Sequence, residues 1–264
     1  MYTNMKKMVW MLVMMLALGL AANAPAEEKN SLSDFTSRLQ KGNAAQETAA
    51  VDTQEDDGLS FGPSLRMNDP FFQKVRSSAY LQENDYSREA NVMIELRNVS
   101  GRTLYPKTAK VTAYNSAGEV IEEETYSSCS PEMVADGASL FVWDWFYGFD
   151  VPVAEISYFG VEIETETSSY KKYANIASQS MVSGGIGYAL VENGTESDIY
   201  GLDATIVAET AEGVLLDVCE ISTGNACGIF PGSVMILRAN LKDYANDASL
   251  ADAVTTAYAQ YELD

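Results

Sequence analysis

Apolar and polar residues alternate with a period of two over much of the chain beyond residue 65. Ile94 and Leu96 alternate with Glu95 and Arg97, and Ala109, Val111 and Ala113 alternate with Lys110, Thr112 and Tyr114. Asn98-Val-Ser-Gly and Asn115-Ser-Ala-Gly118 interrupt the pattern, and Val120 and Ile121 resume it. Successive side chains of a strand point to opposite faces, and Asn, Ser and Gly accept turn conformations. Alternation broken at regular intervals by such residues therefore predicts antiparallel strands joined by tight turns. Further strands are expected from Leu140 to Phe146 and from Ile156 to Ile163.

The pattern occurs twice. Residues 98–121 read NVSGRTLYPKTAKVTAYNSAGEVI, and residues 193–216, at an offset of 95, read NGTESDIYGLDATIVAETAEGVLL. The register holds without a gap, aligning Asn98 with Asn193, Tyr105 with Tyr200, Ala109 with Ala204, Val111 with Ile206 and Gly118 with Gly213. Downstream, Gly137 aligns with Gly232 and Phe141 with Ile236, and the later strands return at Met235 to Leu241 and Val254 to Tyr261. A repeat of this length is a whole small domain, too long for a solenoid unit. Roughly seven strands fit in it, the size of an immunoglobulin-like domain. The expected fold class is all-β: two tandem immunoglobulin-like antiparallel β-sandwiches, at 66–168 and 169–264.

The N-terminus departs from this pattern. Lys6 and Lys7 precede an unbroken apolar stretch from Met8 to Leu20, and Ala24-Pro25-Ala26 supplies small residues before Glu27. That is the layout of a secretory signal peptide over 1–26, with an uncleaved anchor as the alternative. Its apolar stretch is short of the ~20 residues that a spanning helix needs. Residues 27–65 are polar, acidic and poor in apolar side chains, so they are expected to form a disordered linker. Within it, SLSDFTSRLQKG at 31–42 has the spacing of one short helix.

Charge and chemistry narrow the function classes. The chain has 38 acidic and 17 basic residues and a net charge of −21, and losing Lys6 and Lys7 with the leader makes it −23. No basic patch is available to neutralise phosphates, which argues against nucleic acid and against anionic lipid as partners. The chain has no His, so general acid–base work would fall to carboxylates, Lys or Tyr, and a nucleophilic Cys would lack its usual base. Glu122–Glu124 and the alternating Glu162, Glu164 and Glu166 read as solvated faces rather than paired catalytic acids. No calcium-loop or zinc-site spacing is present. The expectation is a non-enzyme without cofactor or metal, exported to the cell surface or medium.

The three cysteines, Cys129, Cys219 and Cys227, allow at most one intramolecular disulfide. Cys219 and Cys227 flank the turn-rich ISTGNA stretch and are the preferred pair among the three possible. Asn98-Val-Ser100 and Asn193-Gly-Thr195 match an N-glycosylation sequon at the same place in both copies. Turn chemistry alone accounts for Asn followed by Ser, Thr or Gly and is the preferred reading.

The motif that carries a family resemblance is a polar turn opened by Asn98, followed by Leu104-Tyr105, a strand through Val111 to Tyr114-Asn115, and then Gly118, Val120 and Ile121. It resembles the FxLYD domain, an immunoglobulin-like module of secreted and cell-surface bacterial proteins. Pro231-Gly232 and Asp136-Gly137 match a turn of that family, whereas Glu209-Thr210 of the second copy departs from it. The resemblance implies a bacterial envelope location and a sandwich fold, and it brings no catalytic residues.

Residues 141–149, FVWDWFYGF, supply the candidate binding surface. The aligned positions Met235, Leu237, Ala239 and Leu241 are apolar, which assigns Leu140, Val142 and Phe146 to the shared core and leaves Asp144 as an inward-facing anomaly. The other set, Phe141, Trp143, Trp145 and Tyr147, aligns with Ile236, Arg238, Asn240 and Lys242 and is expected to point outward. An outward aromatic ladder can stack a glycan or anchor an extracellular protein. The competing reading is that the chain's own elements cover it, leaving two stacked domains as a rigid spacer.

Overall fold

The computed structural model describes residues 59–169, 171–224, 227–242 and 249–263. The expected leader and most of the expected linker, including 31–42, lie outside the described residues. In the first half of the described chain the strands are β1 (Leu59–Phe61), β2 (Ser64–Met67), β3 (Phe72–Glu83), β4 (Arg88–Asn98), β5 (Tyr105–Tyr114), β6 (Val120–Ser130), β7 (Ser139–Tyr147) and β8 (Tyr158–Glu166). The second half has β9 (Lys172–Ile176), β10 (Ser178–Ser183), β11 (Ile186–Glu192), β12 (Tyr200–Glu209), β13 (Leu215–Ser222), β14 (Val234–Asn240) and β15 (Val254–Leu263). Two short 3₁₀ turns, Val153–Glu155 and Ser249–Asp252, precede β8 and β15. The regular structure among the described residues is thus nearly all β.

Strand order repeats between the halves. The first half runs β1-β3-β4-β7-β6-β5-β8-β2, with β6 shared between two layers. Its start pairs with β5, and only Ser128, Cys129 and Ser130 pair with β7. The second half forms two separate sheets, β10-β11-β14 and β13-β12-β15-β9. β12 spans the residues that the 95-residue offset aligns with β5, and β11, β13, β14 and β15 fall on the counterparts of β4, β6, β7 and β8. Among the described residues β13 makes no ladder with β14, unlike β6 with β7.

Two edges correct the expectation of purely antiparallel sheets. β1 pairs parallel with β3, and β2 pairs parallel with β8. β1 and the first two residues of β2 also fall within the segment expected to be disordered linker up to residue 65. Phe61 and Leu65 supply the apolar side chains that dock: Leu65 is buried in the first core, and the Phe61 ring lies 5.1 Å from that of Tyr80. Gly62 between them has φ +84°, and a Cβ there would fall 2.3 Å from the Ala79 carbonyl oxygen. The close approach of this edge to β3 therefore requires glycine.

The alternation places the core as expected. Ile94, Leu96, Ala109, Val111, Ala113, Leu140, Val142 and Phe146 are all fully buried in one cluster. In the second half Ala204, Ile206 and Ala208 are buried in another. That second cluster also takes in Tyr80, Met93 and Phe141 from the β3-β4-β7 sheet. The sheet therefore buries both faces, one against its own partner layer and the other against the second half.

Each half is locked by one buried asparagine. Asn98 is 0% exposed; its Nδ2 donates to the Arg102 and Val134 carbonyls at 2.7 and 2.9 Å, and its Oδ1 accepts from the Ser100 N–H at 2.9 Å. Asn193 is likewise 0% exposed, with Nδ2 donating to the Ser197 and Ile229 carbonyls at 2.7 Å each and Oδ1 accepting from the Thr195 N–H at 2.9 Å. Their backbone carbonyls accept from Gly137 and Gly232, whose φ values of +77° and +71° explain why the repeat keeps glycine there. The sequon asparagines thus serve as internal clamps, with their amide nitrogens sealed from solvent.

Replacing Asn98 by Ala removes three hydrogen bonds of a buried side chain, at about 2–4 kcal/mol, although the Val134 and Arg102 carbonyls keep the Leu104 N–H and the Ser100 hydroxyl. The Asn98→Ala and Asn193→Ala variants are expected to unfold at clearly lower urea concentration than the parent, each by a similar amount. A shift within experimental error for either would show that the clamp does not hold its loops.

Candidate functional site

β7 carries the aromatic segment, and its two faces meet different surroundings. Opposite β4, Phe141 pairs with Glu95, Trp143 with Met93 and Trp145 with Asn91. Phe141 is 0% exposed and its ring lies 5.0 Å from that of Tyr258 on β15. Trp143 is half-buried against the second core. The expected open ladder is therefore corrected at its first two members, because the β13-β12-β15 sheet covers them. Trp145, 49% exposed, and Tyr147, 65% exposed, extend past that cover and remain at the surface.

Polar groups fix the contact between the halves. Arg76 on β3 donates Nε to Glu95 at 2.5 Å, and its Nη1 donates to Glu209 on β12 and, at 2.8 Å, to the Gly213 carbonyl. Glu95, itself buried, also accepts from the Ser139 hydroxyl at 2.6 Å. Tyr80 donates its hydroxyl to the Leu215 carbonyl at 2.8 Å. At the opposite end, Gln260 bonds both backbone groups of Met133, accepting its N–H at 3.0 Å and donating to its carbonyl at 2.5 Å. Ser130 meets the Thr205 hydroxyl at 2.6 Å and donates to Glu220 at 3.2 Å. Buried polar atoms satisfied across the contact fix its register, because any slide leaves them without partners.

Between these anchors the layers part into a cleft of about 470 Å³, lined from the first half by Asn91, Val92, Met93, Ser128, Trp143, Asp144 and Trp145. Asp217 to Glu220, Asn240 and Lys242 line it from the second. The ladder between β6 and β7 stops at Trp143, and this explains the inward-facing Asp144: its partner strand has already turned away. Its carboxylate instead accepts the N–H of Trp145 at 2.7 Å. Trp145 is held from three sides. Its Nε1 donates to Glu89 at 3.1 Å, the Tyr147 ring meets it edge-on at 5.6 Å, and the Lys242 ammonium lies 5.3 Å from its centroid.

Several carboxyls around the contact titrate high. Burial pushes Asp217 up to about 6, although the N–H groups of Val218 and Lys242 oppose the shift by bonding its carboxylate at 2.9 and 2.7 Å. Burial also raises Glu132, Asp203 and Glu220, with Asp203 adding repulsion on Glu132 and Glu220. Outside the cleft, Lys107 pairs with Glu166 at 2.7 Å, and Lys110 with Glu162 at 3.0 Å and Glu123 at 3.4 Å. The acidic runs thus take part in cross-strand ion pairs of the outer β5-β6-β8 face. Among the described residues no group of three or more acids or cysteines is placed to hold a metal ion, and no helix is long and apolar enough to cross a membrane.

The three cysteines are free thiols, so the expected Cys219–Cys227 bridge is not formed. Cys219 sits opposite Ile206 in the β12–β13 ladder and packs on the second core, whereas Cys227 lies exposed in the loop beyond. Flanking a turn does not make two residues face each other. Burial pushes both Cys129 and Cys219 up to about 11, with acidic neighbours adding to the effect.

Two outcomes follow from these environments. A thiol reagent at pH 8 is expected to label Cys227 rapidly, and Cys129 and Cys219 only on unfolding; an intact mass two hydrogens lighter with no fast label would restore the disulfide. The raised carboxyls bind protons more tightly folded than unfolded, so their ionisation opposes folding. That penalty is absent below the ordinary carboxylate range, and for Asp217 it is complete above pH of about 6, amounting to about 3 kcal/mol at most. Unfolding free energy is expected to rise as pH falls from 7 to 5, and Asp217→Asn to flatten that slope. A wild-type slope of opposite sign, measured by urea denaturation, would refute the assignment.

No protein-family model and no curated protein matches the chain. A search of solved structures returns red sea bream transglutaminase, at 9% identity and a TM-score of 0.19, a likeness that carries no argument about this chain. It covers 66% of this chain and only 28% of the transglutaminase.

Proposed function

We propose that the chain is an exported, non-catalytic protein of the bacterial cell envelope or medium, built from two tandem immunoglobulin-like sandwiches of the FxLYD type, that works as a rigid two-domain binding module. The observation that carries this reading is the docking of the β3-β4-β7 face on the β13-β12-β15 face. It joins the two copies through Phe141 and Arg76 and leaves Trp145 and Tyr147 projecting beside the joint. A half-exposed Trp fixed by three neighbours gives a partner contact area at little entropic cost. The repeated strand order, and the asparagine clamp at the same point of both copies, support tandem copies of one fold.

The non-catalytic part rests on chemistry. The chain has no histidine, and the thiols of Cys129 and Cys219 are pushed away from the nucleophilic thiolate. The apolar stretch Met8–Leu20 behind Lys6-Lys7 supports export, with Glu27 as the first mature residue.

Intact mass of the protein recovered outside the cytoplasm is expected to begin at Glu27. Co-sedimentation of the 27–264 chain with purified bacterial envelope is expected to fall about tenfold in a Trp145→Ala, Tyr147→Ala double variant. Both residues are exposed, so that variant keeps its unfolding midpoint. Envelope binding that survives the double variant would remove these aromatics from the binding surface, and a chain retained inside the cell would refute export.

A further inference from the structure

We propose that Asn193 is a site of spontaneous deamidation that folding protects and unfolding exposes, and that its product cannot rebuild the clamp, so the site turns reversible unfolding into a one-way loss. The two clamps share one geometry and differ in one neighbour. Asn193 is followed by Gly194, the only Asn-Gly pair in the chain, whereas its counterpart Asn98 is followed by Val99.

The reaction uses the backbone nitrogen of the following residue. That nitrogen gives up its proton and attacks the carboxamide carbon Cγ. The new C–N bond closes a cyclic imide, the bond from Cγ to Nδ2 breaks, and ammonia leaves carrying the proton. Water then opens the ring at either carbonyl, giving aspartate or an isoaspartate whose backbone runs through the side chain. The step is redox-neutral and needs water alone. A β-branched neighbour such as Val99 crowds the attacking nitrogen and stiffens the chain, whereas glycine does neither. The fold does not demand glycine at 194: a Cβ there would meet no atom within 4 Å, and the backbone lies outside the left-handed region.

The folded chain blocks the attack. Asn193 is sealed from solvent, its Nδ2 donates to the Ser197 and Ile229 carbonyls, and its Oδ1 accepts from both the N–H and the hydroxyl of Thr195. Its own N–H and carbonyl are bonded to Ser233 and Gly232. Closing the ring takes Cγ out of this fixed carboxamide and expels the nitrogen that two carbonyls hold, so the reaction waits for the loops to open. Neither product serves as a clamp. The carboxylate of aspartate has no donor, and it would face the same two carbonyl oxygens at a position without water. Isoaspartate lengthens the backbone between the bonds to Ser233 and the Ile199–Ile229 bridge. A chemical change confined to the unfolded state makes unfolding irreversible and sets a lifetime in place of an equilibrium.

The full chain is incubated in mildly alkaline buffer, one sample folded and one in guanidinium chloride, and peptide mass mapping follows the amide-to-acid mass gain at Asn193 and Asn98. Conversion is expected at Asn193 in the unfolded sample alone, with Asn98 keeping its amide in both. On dilution out of denaturant, the fraction that fails to recover native tryptophan emission, which reads the cover of Trp143 by the second core, is expected to match the fraction converted. Gly194→Val sets the first copy's residue in open space. It is expected to fold like the parent, to keep its Asn193 amide through the same unfolded incubation, and to refold afterwards. Should it fail to fold, Gly194→Ala takes its place. An Asn193 amide that survives prolonged unfolding, equal conversion in the folded and unfolded samples, or an Asn193→Asp chain that refolds like the parent overturns the proposal.

Discussion

Asn98 and Asn193 each use a whole side chain to hold two separate loops against the end of one strand. The carboxamide reaches the carbonyl four residues ahead and a second carbonyl 36 residues ahead, while its oxygen caps the turn that follows. Isolated bridges close beside them, Leu104 with Val134 and Ile199 with Ile229. With that clamp in place, the loop leaving β4 and the loop entering β7 are fixed to each other, and so are β11 and β14 in the second half. The inward residues of four strands then meet in register, which is what allows Leu104 and Ile199 to be buried at 0% and 2% exposure. A hydrophobic side chain at either position would lose the carboxamide's bonds to both loops and leave only the backbone bridges to hold them, so the polar residue supports the apolar core around it.

The contact between the halves follows a second constraint, imposed by charge. Arg76 is surrounded by Glu95, Glu209 and the Gly213 carbonyl, and the Ser139 hydroxyl supports Glu95 from behind. Two carboxylates on one guanidinium is a costly arrangement to bury unless every lone pair near it is used. Such a cluster adds little net stability, but it tolerates only one relative placement of the two sheets. Phe141 against Tyr258 supplies the apolar burial, and the charged cluster supplies the register. Together they place Trp143 under cover and Trp145 beyond it.

Much of this was legible in the sequence. Period-two alternation located β4, β5, β7 and β8 and their inward faces, and alignment of the copies marked Leu140, Val142 and Phe146 as core. The same alignment misread the outer face of β7. In the second copy the aligned Ile236, Arg238, Asn240 and Lys242 are exposed, because β14 presents that face to solvent. In the first copy the equivalent face is covered by the other half. Alternation tells which residues share a face, and an aromatic-for-polar exchange tells that the faces have different fates. Neither says what lies opposite, because that depends on contacts more than 100 residues apart, such as Phe141 with Tyr258. The edge strands β1 and β2 were missed for a related reason: scattered apolar residues such as Phe61 and Leu65 in a polar stretch are too few to predict a strand, but enough to complete one whose partners already exist.

The cleft arises where the two copies differ, which connects architecture to binding. In the first half β6 turns from one layer to the other, and its ladder with β7 ends beside Asp144. Among the described residues of the second half β13 has no ladder with β14, and the Asp217 carboxylate accepts the backbone N–H of Lys242 beyond β14. Each half thus has an irregular seam between corresponding strands, and docking brings the two seams to one cleft. Lined by groups that no ladder satisfies, such a junction stays polar and open, whereas the sheet faces on either side close around Phe141 and Tyr80. The polar junction therefore belongs to neither half alone: Asn91, Ser128 and Asp144 come to it from the first half, and Asp217, Glu220 and Asn240 from the second.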